Sequence, residues 1–141
     1  MLKKIKVFMY FRKMLRRART IISDQSQSGN VVQDVRAKLQ KDEIQESLKG
    51  FMDKIQALIR LVDQYRLGNY REISKKSMIT VLGGLLYFLS PVDAIPDFIA
   101  GLGLVDDVAI IGYVWKTVNQ EIHQFLSWEK DEVIKENDTI T

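Results

Sequence analysis

From Met78 to Trp115 the chain runs for 38 residues without a lysine or an arginine. Twenty-five of them are apolar, and the only charges are Asp93, Asp97, Asp106 and Asp107. Basic residues stand just outside, at Lys75, Lys76 and Lys116. Such a stretch can fold as a hairpin inside a protein core. It can also enter a bilayer with both ends on the cytoplasmic side. Length separates the two. The uncharged run from Ser77 to Val92 covers ~24 Å as helix, whereas a bilayer core needs about 20 apolar residues. The second arm is shorter still, with eight residues between Asp107 and Lys116. The expectation is a hairpin buried in its own protein core, or partly sunk into one leaflet, rather than two full spans.

The rest of the 141-residue chain reads as helix around that hairpin. Leu48, Phe51, Ile55, Leu58, Val62 and Tyr65 recur at helical spacing, and Gly68-Asn69 supplies a stop. A weaker stripe runs through Val32, Val35 and Leu39, with a break expected near Lys49-Gly50. The apolar run from Met78 predicts a helix ending at Leu89, because Pro91 discourages helix at Ser90. Gly83-Gly84 within it costs roughly 1 kcal/mol per residue in helix propensity. A close crossing by another helix would offset that loss. Val108, Ile111, Trp115, Val118, Ile122 and Phe125 form an amphipathic seam for a helix over 108–127. Two prolines and few hairpin signals argue against an all-β fold. The reading is a small all-α protein built on an apolar helix-turn-helix hairpin with a basic amphipathic N-terminal helix. Its parts are a basic helix at 1–22, a linker or helix-breaking loop at 23–30 and a helical region at 31–69. A hairpin domain at 70–128 and an acidic, fraying tail at 129–141 complete it.

Composition narrows the chemistry. No cysteine means no disulfide framework, thiolate metal site or cysteine nucleophile. The single histidine, His123, lacks the G-x-S-x-G context of a hydrolase triad and reads as a solvated side chain. No glycine pair is followed by Lys-Ser/Thr, so there is no P-loop. The four aspartates have two readings. Hard divalent cations take oxygen ligands, so Asp93, Asp97, Asp106 and Asp107 could converge on one. Helix caps account for the same residues. Ser90-Pro91-Val92-Asp93 has the form of a capping box, Asp97 can cap a turn after Pro96, and Asp106 can cap a helix starting at Asp107.

The stretch YFLSPVDAIPDFIAGLGLVDD, Tyr87 to Asp107, resembles the signature of the YkvA-like family, a domain of unknown function. Tyr87, Ser90, Pro91, Asp93, Pro96, Asp97, Gly103, Asp106 and Asp107 match it position by position. The chain departs at Ala94, where a larger aliphatic is usual, and at Ala100, where a proline is usual. The resemblance covers about residues 70–118. It implies a helical, often membrane-associated domain and carries no established activity with it.

The charge is loaded at one end. Residues 1–22 hold eight basic groups (Lys3, Lys4, Lys6, Arg12, Lys13, Arg16, Arg17, Arg19) and no acid, although the whole chain is only +3. The apolar run between Lys6 and Arg12 is too short for a secretory signal, and a basic block follows it. As a helix, Ile5, Phe8, Leu15, Ala18 and Ile22 share one face, with Phe11 and Met14 at its margin. Arg12, Arg16 and Arg19 fall on the other. That composition suits a helix lying on an anionic lipid surface, with Phe8 and Phe11 among its contacts. It also suits a helix packed on the domain with a basic outer face. Nucleic acid would explain the charge but not the apolar content, and is not expected.

The function read from these features is a membrane-associated helical adaptor or scaffold on the cytoplasmic face. Its expected partner is anionic lipid or a membrane protein, and self-association stays open. One alternative is an enzyme dependent on a divalent cation held by the four aspartates, the only cofactor under consideration. Another is a soluble interaction module binding through the Leu48–Tyr65 seam.

Overall fold

A computed structural model describes residues 2–89 and 100–140, with side chains described at 7–46, 48–89 and 109–136. The described residues form seven helices and no strand. They are α1 (Leu2–Ile21), α2 (Gln25–Leu39), α3 (Asp42–Ser47) and α4 (Met52–Arg66), then α5 (Lys75–Leu89), α6 (Ala100–Thr117) and α7 (Asn119–Ile140).

α5 is the axis of the fold. Val81 through Phe88 are all buried, so this helix meets protein on every side. α1, α2, α4 and α6 pack around it, and α7 closes the far side against α4 and α6. The glycine pair sets the spacing. A Cβ on Gly83 would lie 2.7 Å from Leu15 Cδ2 and 3.3 Å from Leu15 Cα, and one on Gly84 would lie 2.8 Å from Val114 Cγ2. Consecutive glycines thus admit α1 on one side and α6 on the other, which is the close crossing that offsets their poor helix propensity.

Caps fix where helices begin and end. Asp24 accepts hydrogen bonds from the Gln27 backbone N–H and from Gln27 Nε2, both at 2.9 Å, and starts α2. Ser74 Oγ accepts from the Ser77 N–H at 3.1 Å and starts α5. α4 ends at Gly68, whose φ of +82° suits only a residue without Cβ. Gly68 N–H donates to Tyr65 O and Asn69 N–H to Gln64 O, the paired bonds of a Schellman motif. The C-terminal end of α5 is met from outside. Lys38 of α2 donates its ammonium to Phe88 O and lies 4.3 Å from the centre of the Phe88 ring. A cation there suits the negative end of the helix dipole.

Several expectations change. Residues 23–30 are not a linker. After the turn at Ser23–Asp24 they are the first turns of α2, with Ser28 and Gly29 buried. Ser28 Oγ donates to Ile21 O at 2.8 Å, tying α2 to the end of α1. The helical region 31–69 breaks at 48–51, where Lys49-Gly50 predicts it, and also at 40–41, where no break is expected. The seam expected to start at 108 belongs to a helix beginning at Ala100, and Val118 joins it to α7. Bonds from Val118 N–H to Val114 O and from Ile122 N–H to Val118 O carry the ladder across the joint. The tail 129–141 does not fray at its start, because α7 continues to Ile140. No glycine or proline follows Val118 to stop it.

Candidate membrane-facing surface

α1 has two faces, and the structure assigns them. Phe11, Met14, Ala18 and Ile21 are buried against the core, with Ile22 just beyond. One cluster of four rings holds the helix down. Phe11 meets Tyr87 of α5 and Tyr113 of α6 edge to face, at 6.3 and 5.9 Å, and Tyr10 meets Tyr87 at 5.6 Å. Contacts of this kind add about 0.5–1.5 kcal/mol each beyond the area they bury. The sequence placed Phe11 among the surface contacts. At 3% exposure it is core, and no outside surface can reach it.

The opposite face is exposed. Phe8 is 58% and Met9 63% accessible. Around them Arg12, Lys13, Arg16, Arg17 and Arg19 are all exposed. At 100° per residue these seven positions occupy about half the helix circumference. Among the described residues none of the five cations has an ion-pair partner. Arg19 lies in the last turn, where the helix dipole favours a cation. Lys3, Lys4 and Lys6 belong to the same helix, with side chains outside the described set. Met9 was missed in the sequence. Its signal was positional, because it stands three residues before Arg12 and seven before Arg16.

The other sequence candidates fall differently. Asp93 and Asp97 lie outside the described residues. Asp106 and Asp107 lie within α6, whose first residue is Ala100, so Asp106 is not the cap of a helix starting at 107. Their side chains are outside the described set, and no group of potential metal ligands gathers among the described residues. His123 is exposed on α7. Leu48, Ile55, Leu58 and Val62 are almost fully buried, so the seam proposed for a soluble partner is spent inside the core. Trp115 is half-buried rather than core, with Lys54 Nζ 5.5 Å from its ring centre. Among the described residues no helix is long and apolar enough to cross a membrane.

Comparison with known proteins gives two matches. Residues 77–113, covering most of α5 and of α6, match the family described as "Protein of unknown function (DUF1232)". The chain is also 31% identical over 80 residues to the "Uncharacterized membrane protein YkvA" of Bacillus subtilis (strain 168). That alignment covers 57% of this chain and 76% of the Bacillus protein. No solved structure matches the chain.

Proposed function

The chain belongs to the YkvA-like family of proteins of unknown function, DUF1232, and from that premise we propose a peripheral helical adaptor or scaffold held on an anionic membrane surface by the exposed face of α1. The observation that carries this reading is the group of five cations, without an ion-pair partner among the described residues, on one face with Phe8 and Met9. The description of the Bacillus relative as a membrane protein supports it. The cytoplasmic leaflet is the expected side, since its anionic lipids attract basic segments.

The energetics favour adsorption over insertion. A Lys or Arg near such a surface contributes about 1 kcal/mol, so five supply up to about 5 kcal/mol at low salt. Phe8 and Met9 can add part of the roughly 1.5–3 kcal/mol that full burial of each would bring. The apolar face that a free amphipathic helix would offer to lipid is occupied by α5 and α6. Attraction of this kind is screened by salt.

Co-sedimentation with vesicles tests it. The chain should pellet with vesicles containing phosphatidylglycerol and not with pure phosphatidylcholine, and high salt should release it. Arg12→Gln/Arg16→Gln should weaken binding by about 30-fold, the equivalent of two lost surface cations. Equal binding to neutral vesicles, or none to anionic ones at low salt, overturns the reading. Retention of the membrane-bound protein through alkaline carbonate would replace it with an inserted hairpin.

A further inference from the structure

A second cationic feature lies where α1 ends. Ser23, Gln25, Tyr65, Arg66, Gly68, Arg71 and Lys75 line an open cleft of about 430 Å³. That volume falls in the range of small-ligand sites, about 300–1,000 Å³. Among the described residues three cations line it and no carboxylate does. Two of them are already positioned. The Arg66 Nε–H donates to Asp63 Oδ1 at 2.7 Å, and its guanidinium lies over Gly29, where a Cβ would come within 3.0 Å of Arg66 Nη1. The Arg71 guanidinium sits 4.3 Å from the centre of the Tyr65 ring. Lys75 projects from the first turn of α5.

The local charge is not cancelled. Asp63 is shared, 2.7 Å from Arg66 and 3.6 Å from Arg36, so one carboxylate faces two guanidinium groups. Neither Arg71 nor Lys75 has an ion-pair partner among the described residues. Glu72 is exposed beside Arg71 in sequence but does not line the cleft. Planar guanidinium groups fixed by stacking and by a carboxylate suit bidentate recognition of phosphate oxygens. Ser23 and Gln25 add neutral hydrogen-bonding groups.

We propose that this cleft binds a phosphate monoester dianion through Arg66, Arg71 and Lys75. The group has two sources, a phosphatidate-type lipid headgroup or a soluble phosphate ester. Only the lipid source rests on the membrane reading of α1. The cleft then adds headgroup choice to an attachment that would otherwise read surface charge alone.

The test uses the full chain and two probes. Vesicles carrying phosphatidate or phosphatidylglycerol, matched for surface potential, are titrated first. Glycerol 3-phosphate is titrated separately in solution while the Gly68 and Arg71 amides are followed by NMR. The variant is Arg71→Gln/Lys75→Gln, at two exposed positions, with an unchanged melting temperature as the folding control. A headgroup ligand appears as a preference for phosphatidate of about tenfold, the scale of one charge-assisted bidentate contact. The variant loses that preference and keeps its binding to phosphatidylglycerol. A soluble ligand appears as glycerol 3-phosphate shifts that the variant abolishes. Neither preference nor shifts, or either surviving in the folded variant, overturns the proposal. The α1 reading fails separately, when neither vesicle is bound while glycerol 3-phosphate still shifts the cleft amides.

Discussion

α1 and α7 are both amphipathic helices at an end of the chain, of 20 and 22 residues, yet the fold grips them differently. α1 is buried at intervals from Phe11 to its last turn. α7 is buried at Ile122 and Phe125, and from Val133 to Glu136 every residue is exposed. Tyr70 marks the anchored half of α7. It packs against Phe125 and Trp128 at 5.1 and 5.0 Å, and burial together with the Glu72 and Glu121 carboxylates raises its hydroxyl pKa. Beyond it Arg60 of α4 pairs with Glu129 of α7. The contrast shows that an apolar stripe describes a capacity for burial, and that the neighbouring helix decides how much of it is used.

Core truncations give the largest contrast. Phe11→Ala and Phe125→Ala should each cost about 3–5 kcal/mol in chemical denaturation. Val133→Ala and Ile134→Ala should stay within about 0.5 kcal/mol. A cost near zero for Phe11→Ala would mean that α1 is not locked and would erase the distinction. Gly83→Val comes next. Its Cβ meets the Leu15 backbone as well as the side chain, so the crossing must open, at about 2–3 kcal/mol. The equivalent substitution of an exposed α7 residue such as Lys130 should lack that steric component.

Smaller effects sharpen the comparison. Phe8→Ala should leave stability within about 0.5 kcal/mol. It should weaken binding to anionic vesicles several-fold, to about the extent expected for part of one side chain's burial. Arg60→Ala removes a partly exposed ion pair with contacts of 2.8 and 3.3 Å to Glu129 and should cost about 0.5–1 kcal/mol. The last effect is a pH dependence at the α1–α2 turn. The Gln27 N–H and side-chain bonds hold the Asp24 carboxyl below its ordinary range. Its stabilisation is therefore present above the ordinary aspartate pKa and fades as pH falls through the lower folded-state value. Asp24→Asn keeps a capping oxygen and should remove that component from an acid unfolding curve.

Much of the interior was legible because its signals are steric. Gly83-Gly84 announced close crossings, Gly68 announced a helix end, and Val118, Ile122 and Phe125 announced a buried stripe. The α1 face was harder to read. Ile5-Phe8-Leu15 and Phe11-Met14-Ala18 both follow helical spacing, so periodicity alone does not say which stripe turns inward. The partner decided it, by placing Tyr87 and Tyr113 against Phe11. The start of α2 was hidden under Ser, Gln and Gly residues that resemble a loop. Asp24 followed three residues later by Gln27 was the signal that could have revealed it. The cationic cleft assembles residues from 22 to 75 across four connections, a proximity that linear spacing does not display.

The crossing at Gly83 has a thermodynamic consequence. Free amphipathic helices that fold on arrival at a surface lose roughly 1–2 kcal/mol of backbone entropy for each residue they order. In this chain α1 is ordered by the core from Phe11 onward, before any surface is met. Its cations need no further backbone ordering to bind. Docking should therefore proceed without a gain in helical circular dichroism, and with a heat-capacity change small enough to reflect little more than Phe8 and Met9 leaving water.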